Sequence, residues 1–129
     1  ARVPLASGLL TGKFSTNHEF EDDDHRKFNQ NGEAFNVGET FAGLPFTKGV
    51  ELSKQLEWIA EGRDNMTRAA LKWILSHEAV SSVIPGFKTV KQVEDNLAAV
   101  NVPAFSDQEL EKIRSFYKNE VHNHIRGPY

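Results

Sequence analysis

Two stretches in the middle of the chain carry apolar residues at helical spacing. The first stripe follows the i, i+4, i+7, i+8 pattern of an amphipathic helix and consists of Leu52, Leu56, Ile59 and Ala60. Gly62 is expected to end this helix. The second stripe consists of Ala70, Leu71, Ile74 and Leu75. It predicts a helix from Thr67, which can cap its N-terminus, through His77.

Capping residues predict two further helices. Thr89 is followed three residues later by Gln92, and Ser106 by Glu109, which is the spacing of a capping box. The apolar face of the first helix consists of Val90, Val93, Leu97 and Val100. The buried stripe of the second consists of Leu110, Ile113 and Tyr117.

Short β-type runs occur at residues 3–6 and 80–84, the second closed by Pro85-Gly86. The predicted order is strand, long loop, two helices, strand, helix and terminal helix, which indicates parallel βα units and an α/β fold. Parallel strands are normally covered on both faces within a larger sheet, and two strands cannot close a barrel. The chain is therefore expected to be part of a larger fold, and Met66, its only methionine, agrees with this.

Residues 15–47 are polar and aperiodic, and loops of this length in compact domains are usually functional or mobile. An acidic cluster at 21–24 is interpreted as solvated. Four phenylalanines are expected to anchor the loop: Phe28, Phe35, Phe41 and Phe46. Residues 120–129 show no clear period and are predicted to form a tail.

Composition narrows the function classes. The 129 residues are 39% hydrophobic and 26% charged, which fits a globular domain rather than a disordered segment. The formal net charge of -3 argues against a dedicated nucleic-acid binder. The absence of cysteine excludes a disulfide framework, a zinc–thiolate site and a cysteine nucleophile. No apolar run reaches the roughly 18–20 residues of a membrane span, and no signal-peptide pattern opens the chain.

The strongest local signal for binding is the turn from residues 80–84 into the helix after Thr89. The free N–H groups at a helix N-terminus attract anions, and Lys88 and Lys91 flank this one. Two solvated lysines are an equally good interpretation. On the same helix one face is shared by Gln92, Asp95 and Asn96. These side chains can contact a base edge or a ribose, or form an ordinary polar face.

The opening residues 4–13 are a second candidate binding segment. Gly8 and Gly12 permit close backbone approach, and Ser7, Thr11 and Lys13 offer polar groups, but the spacing is not that of a P-loop. No metal site is predicted. His122 and His124 lack a third ligand nearby in sequence and are expected to be solvated, and the acidic cluster lacks the pattern of a calcium loop.

Three segments together resemble the aldo-keto reductases: PLASGLLTGKF at 4–14, TRAALKWILSHEAVSSVIPGFKTVKQVEDNLAAV at 67–100 and SDQELEKI at 106–113. The resemblance implies a (β/α)8 TIM barrel, which binds NADP(H) and reduces aldehydes or ketones by hydride transfer. On this basis residues 1–129 are expected to be the C-terminal half of such a domain. They correspond to strands 7 and 8, their helices and the C-terminal helix, an incomplete and mostly helical portion with a variable loop at 15–47.

The resemblance also implies cofactor-binding residues. Arg2 stands where many relatives have an aromatic residue that stacks on the nicotinamide, and a guanidinium plane can also stack. The positions that match the pyrophosphate loop are Pro4, Leu5, Ala6, Ser7 and Lys13. The turn that meets the 2′-phosphate consists of Gly86, Phe87, Lys88 and Thr89, and the helix positions that face the phosphate and adenine are Gln92, Asp95 and Asn96. Position 92 is an arginine in some relatives, so Lys88 is expected to carry more of the phosphate charge.

The family's catalytic Asp, Tyr, Lys and His belong to earlier barrel strands, and no part of this chain matches their motifs. We therefore assign no catalytic residue and expect the chain alone to be inactive. A cytoplasmic location, a small carbonyl substrate and self-association through exposed apolar faces complete this interpretation. The alternative is a non-catalytic aldo-keto-like fragment that acts as an interaction or structural module.

Overall fold

The computed structural model describes residues 1–127. In this part of the chain the α-helices are α1 (His25–Phe28), α2 (Phe46–Gln55), α3 (Met66–Leu75), α4 (Val90–Leu97) and α5 (Asp107–Phe116). Short 3₁₀ segments connect several of them, and a π-helical turn at Tyr117–Val121 continues α5. β pairing within residues 1–127 is limited to one parallel bridge between Arg2 and Ile84.

The two predicted strands are therefore reduced to a single bridge. Ile84 N–H donates to the Ala1 carbonyl at 2.9 Å, and the chain then enters a 3₁₀ segment at Ala6–Thr11 instead of extending the pair. The parallel sense agrees with the sequence pattern. Two segments cannot provide the neighbours on both sides that a parallel strand normally has, and the Ile84 side chain is largely exposed. A helical chain with one parallel bridge is consistent with part of a barrel.

One predicted helix start and one predicted helix end are wrong. Asn65, not Thr67, caps α3: its Oδ1 accepts from Arg68 N–H at 2.9 Å, which leaves Thr67 inside the first turn. The preceding helix begins at Phe46, before the first residue of the predicted stripe. It ends at Gln55 rather than at Gly62, because the end of the apolar stripe lies in a 3₁₀ turn at Glu57–Ala60.

The caps of the last two helices were predicted correctly. Thr89 Oγ1 accepts from Gln92 N–H at 3.2 Å, and Ser106 and Glu109 form a complete capping box. The Gln92 side chain departs from the box pattern, because its Oε1 accepts from Lys88 N–H at 2.5 Å.

The first core cluster joins the opening segment, the long loop and α2. Its buried members are Leu9, Phe41, Leu44, Phe46, Val50 and Leu52. Phe14 and Phe20 pack against it, so Phe41 and Phe46 are anchors as predicted. The other two predicted anchors are wrong: Phe28 and Phe35 are exposed and contact each other edge to face. In a loop without a regular period, the sequence does not indicate whether a phenylalanine side chain faces the core or the solvent.

The second core cluster joins α3 to α5 and contains Ile59, Met66, Ala69, Phe105 and Ile113. Arg63 is buried at its edge, with Nε donating to the Pro103 carbonyl at 3.0 Å and the guanidinium 3.8 Å from the centre of the Phe105 ring. Its Nη1 lies 2.8 Å from Glu109 Oε1. Tyr117 does not continue the buried stripe of α5 as predicted; its side chain is exposed at the start of the π-helical turn.

The α4 helix packs less closely than the others. Of its predicted apolar face, Val90, Leu97 and Val100 are exposed by 75%, 66% and 59%. Arg68 of α3 ties α4 down through Asp95, with Nε to Oδ1 at 2.8 Å, and Lys72 donates to the Val100 carbonyl at 2.8 Å.

The C-terminal segment is more ordered than the predicted tail. A 3₁₀ turn at His122–His124 leads to Arg126, whose guanidinium donates to the carbonyls of Gly43 (3.0 Å) and Gln30 (2.9 Å) in the long loop. Gly43 leaves room for this contact, since a Cβ there would lie 2.6 Å from the Arg126 carbonyl oxygen. Residues 128 and 129 of the predicted tail lie outside the described residues.

Candidate functional site

Three segments that are distant in sequence surround a cleft of about 1150 Å³. They are the opening segment (residues 2–8, with Thr11), the part of the long loop between residues 21 and 39, and residues 84–92 before and within α4. Its volume is slightly above that of most ligand pockets, roughly 300–1000 Å³. The Arg2–Ile84 bridge holds the first and third segments side by side.

Most of the residues proposed from the sequence line this cleft: Arg2, Pro4, Leu5, Ser7, Gly86, Phe87, Lys88 and Gln92. The structure thus brings together two segments that are about 80 residues apart along the chain. The remaining candidates, Ala6, Lys13, Thr89, Asp95 and Asn96, do not line it. Their binding roles stay predictions, as do those of the lining residues.

The opening segment is bent by residues in the left-handed region. Val3, Ala6 and Ser7 have φ of 50°, 47° and 55°, and such values are rare for a β-branched residue like Val3. Ser7 Oγ accepts from Phe41 N–H at 3.2 Å, which fixes the bend against the long loop. Backbone strain of this kind persists where the surrounding structure enforces it and is frequent at ligand sites.

The N-terminus of α4 forms the opposite wall. Lys88 is exposed, and its ammonium group makes no hydrogen bond or ion pair with the described residues. Gly86 is open, since a Cβ there would meet nothing within 4 Å. A free cation next to a capped helix N-terminus suits a phosphate group.

The polar face of α4 is partly engaged within the protein. Asp95 binds Arg68, whose Nη2 lies 2.5 Å from Oδ1, so its carboxylate is already paired. Asn96 Nδ2 donates to the Gly86 carbonyl at 3.4 Å. These two residues shape the turn before α4, and Asp95 would have to leave Arg68 to contact a ligand.

Two of the three arginine and lysine side chains that line the cleft are neutralised. Arg2 binds Glu39, with Nη1 and Nη2 at 3.1 and 2.9 Å from the two carboxylate oxygens. The hydrogen bond and the charge of Glu39 raise the pKa of Arg2. Arg26 binds Asp24, and mainly this hydrogen bond lowers the pKa of Asp24 to about 2. Of these three side chains, Lys88 is therefore the one that has no ion pair with the described residues.

Sequence reasoning missed Glu39, Asp24 and Arg26 as cleft residues. Asp24 caps α1 by accepting from Arg26 N–H, and an Asp before a short helix is a local signal that could have been noticed. Glu39 pairs with a residue 37 positions away, and no local pattern indicates this.

Metal-binding and membrane-spanning features are not found in residues 1–127. No group of three or more acidic or histidine side chains there could hold a metal ion. None of the helices in the described part is long and apolar enough to cross a membrane.

Comparison with known proteins adds an independent observation. The chain is 34% identical over 114 residues to L-glyceraldehyde 3-phosphate reductase of Escherichia coli O157:H7, which covers 88% of this chain and 31% of the relative. It is 28% identical over 127 residues to the uncharacterized oxidoreductase YqkF of Bacillus subtilis (strain 168), covering 98% and 37%. It is 31% identical over 119 residues to aldo-keto reductase yakc of Schizosaccharomyces pombe, which has NADP(+) in its name, covering 91% and 32%.

The chain thus spans about a third of the length of these relatives. The sequence model of the aldo/keto reductase family matches residues 1–118, which is most of the chain and includes all three walls of the cleft. The chain belongs to the aldo/keto reductase family.

Proposed function

We propose that this chain is the C-terminal part of an NADP(H)-dependent oxidoreductase that reduces aldehydes or ketones by hydride transfer. In this proposal it binds the cofactor, chiefly at the adenosine and phosphate end, and the rest of the barrel contributes the catalytic residues. The cofactor supplies the hydride when bound. A small carbonyl substrate and a cytoplasmic location belong to the same proposal.

The observation that carries the proposal is the charge distribution of the cleft. Arg2 and Arg26 are neutralised by carboxylates, whereas Lys88 is free beside the N-terminus of α4. The loop wall carries the carboxylates of Glu21 and Asp23, so an anion gains most on the Lys88 side. We therefore place the 2′-phosphate at Lys88 and the turn of Gly86 and Phe87.

We propose separate roles for the remaining candidates. Pro4, Leu5 and Ser7 line the cleft and are proposed to follow the pyrophosphate, and Arg2 is proposed to face the nicotinamide ring. Thr89 is proposed to act through the helix cap that it forms. Asp95, held by Arg68, and Asn96, bonded to Gly86, are proposed to support the turn as well as to face the adenine.

Replacing Lys88 by alanine in the complete protein tests the phosphate contact. A charge-assisted hydrogen bond to phosphate is worth enough that its loss weakens binding by about tenfold or more. We expect the dissociation constant of NADPH, measured by fluorescence titration, to rise by this factor and that of NADH to change much less. Lys118→Ala removes an exposed lysine that does not line the cleft and serves as the control. An unchanged NADPH affinity in Lys88→Ala would overturn the phosphate role.

The exposed apolar residues of α4 favour a second candidate function, an interaction module built on this scaffold. Val90 and Leu97 offer such a module a surface for self-association or for a partner. The two candidates differ in their requirement for catalytic groups. Reduction of a carbonyl compound by the complete protein, followed through NADPH absorbance, supports the first and contradicts a purely non-catalytic role.

A further inference from the structure

The ion pair between Arg2 and Glu39 crosses the cleft from the opening segment to the long loop. Both carboxylate oxygens are used, at 3.1 and 2.9 Å from Nη1 and Nη2. The side chain of Arg2 is 72% exposed, and ion pairs at such positions contribute little to folding stability. What the pair does determine is the shape and charge of the surface that Arg2 presents to the cleft.

The geometry fixes the guanidinium plane. A bidentate contact occupies the Nη edge of the group, which restricts its rotation and leaves its two faces for stacking. No aromatic ring in residues 1–127 lies over either face of Arg2, in contrast to Arg26 and Arg63, which lie over phenylalanine rings. Arg2 thus offers an oriented, flat surface to a ring.

The charge of this surface depends on Glu39. Arginine remains protonated in proteins, and alone it repels a cationic ring and attracts anions. With Glu39 bound, the pair carries no net charge. A nicotinamide ring carries a positive charge when oxidised and none when reduced, so the two forms of the cofactor respond differently to the neutralisation of Arg2.

We propose that Glu39 is a positioning and charge-compensating residue for Arg2, and that it allows the cleft to bind the oxidised, cationic nicotinamide nearly as well as the reduced ring. The inference rests on the proposed function, because it requires the nicotinamide to face Arg2. It goes further in assigning a role to a loop residue and in identifying which redox state of the cofactor that residue favours.

The test measures the ratio of the dissociation constants of NADP⁺ and NADPH in the complete protein by equilibrium titration. Glu39→Gln keeps the shape of the side chain and leaves Arg2 uncompensated. We expect the ratio to rise by about fivefold, since the added repulsion acts only on the oxidised ring. Arg2→Met leaves Glu39 uncompensated and should lower the ratio. The Arg2→Met, Glu39→Gln double variant, in which neither charge remains, should return it near the wild-type value.

Glu19→Gln is the matched control, because Glu19 is an exposed carboxylate of the same loop that does not line the cleft and does not bind Arg2. Its ratio should change by less than about twofold, as expected for a solvated charge at a distance. An unchanged ratio in Glu39→Gln would overturn the inference, whether both cofactor forms keep their affinity or both bind more weakly by the same factor because the pair only orders the loop. Either result leaves the cofactor proposal intact. Failure of the wild-type protein to bind either form would overturn both.

Discussion

The part of the chain built by α2, α3 and α5 differs from the part around α4 in how it is held together. The former buries two apolar clusters and an arginine, Arg63, that is satisfied by carbonyls and by Glu109. In the latter Val90 and Leu97 are exposed, and polar ties to α3 supply much of the attachment.

This difference separates stability from binding within one chain. Buried apolar area is the main source of folding free energy, and the α2–α3–α5 part contains most of it. Segments with few buried contacts open at low free-energy cost, and ligand-binding segments are often of this kind. The cleft lies at the α4 side, where its walls are the opening segment, the long loop and residues 84–92, and no residue of α2, α3 or α5 lines it.

The largest expected difference in the free energy of unfolding comes from truncating a leucine to alanine in each of the two parts. Leu52→Ala removes a side chain that is 3% exposed and should reduce the free energy of unfolding by about 2–5 kcal/mol. Leu97→Ala removes one that is 66% exposed and should cost less than about 0.5 kcal/mol. Urea denaturation followed by circular dichroism measures both. Similar losses for the two variants would show that α4 is packed as tightly as α2.

A smaller effect is expected from Glu109, whose pKa is lowered to about 2 chiefly by the hydrogen bond from Arg63. Because the folded-state pKa lies below the unfolded one, the carboxylate stabilises the fold at neutral pH, and this contribution is lost as the pH falls from about 4.5 to 2. Glu109→Gln should lower the free energy of unfolding by about 1–3 kcal/mol at pH 7. The difference from wild type should shrink through that pH range.

The control for this series is Glu94→Gln, which changes an exposed carboxylate of α4 that has no ion pair among residues 1–127. It should follow the wild-type curve within about 0.5 kcal/mol. A Glu109→Gln curve parallel to wild type from pH 7 to pH 2 would contradict the assignment.

The smallest effect on global stability is expected for Asp95→Asn, which weakens the tie between α4 and Arg68. The amide protons of α4 should exchange about tenfold faster, while those of α3 and α5 keep their rates, because the tie acts locally. Hydrogen exchange followed by mass spectrometry distinguishes the segments. Faster exchange across all helices would instead place Asp95 in the common folding unit.

Local signals predicted the features that depend on neighbours in sequence. Thr89 and the Ser106–Glu109 box were found because a cap needs only a few residues. Thr67 was mistaken for a cap because Asn65, two residues earlier, satisfies the same requirement. The apolar period of α5 also predicted wrongly that Tyr117 is buried; its side chain is exposed at the start of the π-helical turn.

The residues of the cleft also divide into those that local sequence motifs predict and those that they do not. The two walls at residues 2–8 and 84–92 were predicted because each carries a recognisable motif. The third wall was not, since Glu39 and Asp24 belong to a loop with no period and are placed by distant contacts. The contacts of Arg126 with Gln30 and Gly43 likewise leave no trace in the local pattern.

The attachment of Arg126 to the long loop bears on the order in which the molecule folds. Its partners lie 83 and 96 residues away in the chain, whereas the helices close over a few residues. Contacts between distant residues form late, because a long segment must be ordered before they are made. The contacts of Arg126 with the long loop therefore form after the helices and, during synthesis, only after Arg126 itself has left the ribosome. The segment around Arg126 thus holds in place the loop that forms one wall of the cleft, although it contributes no lining residue itself.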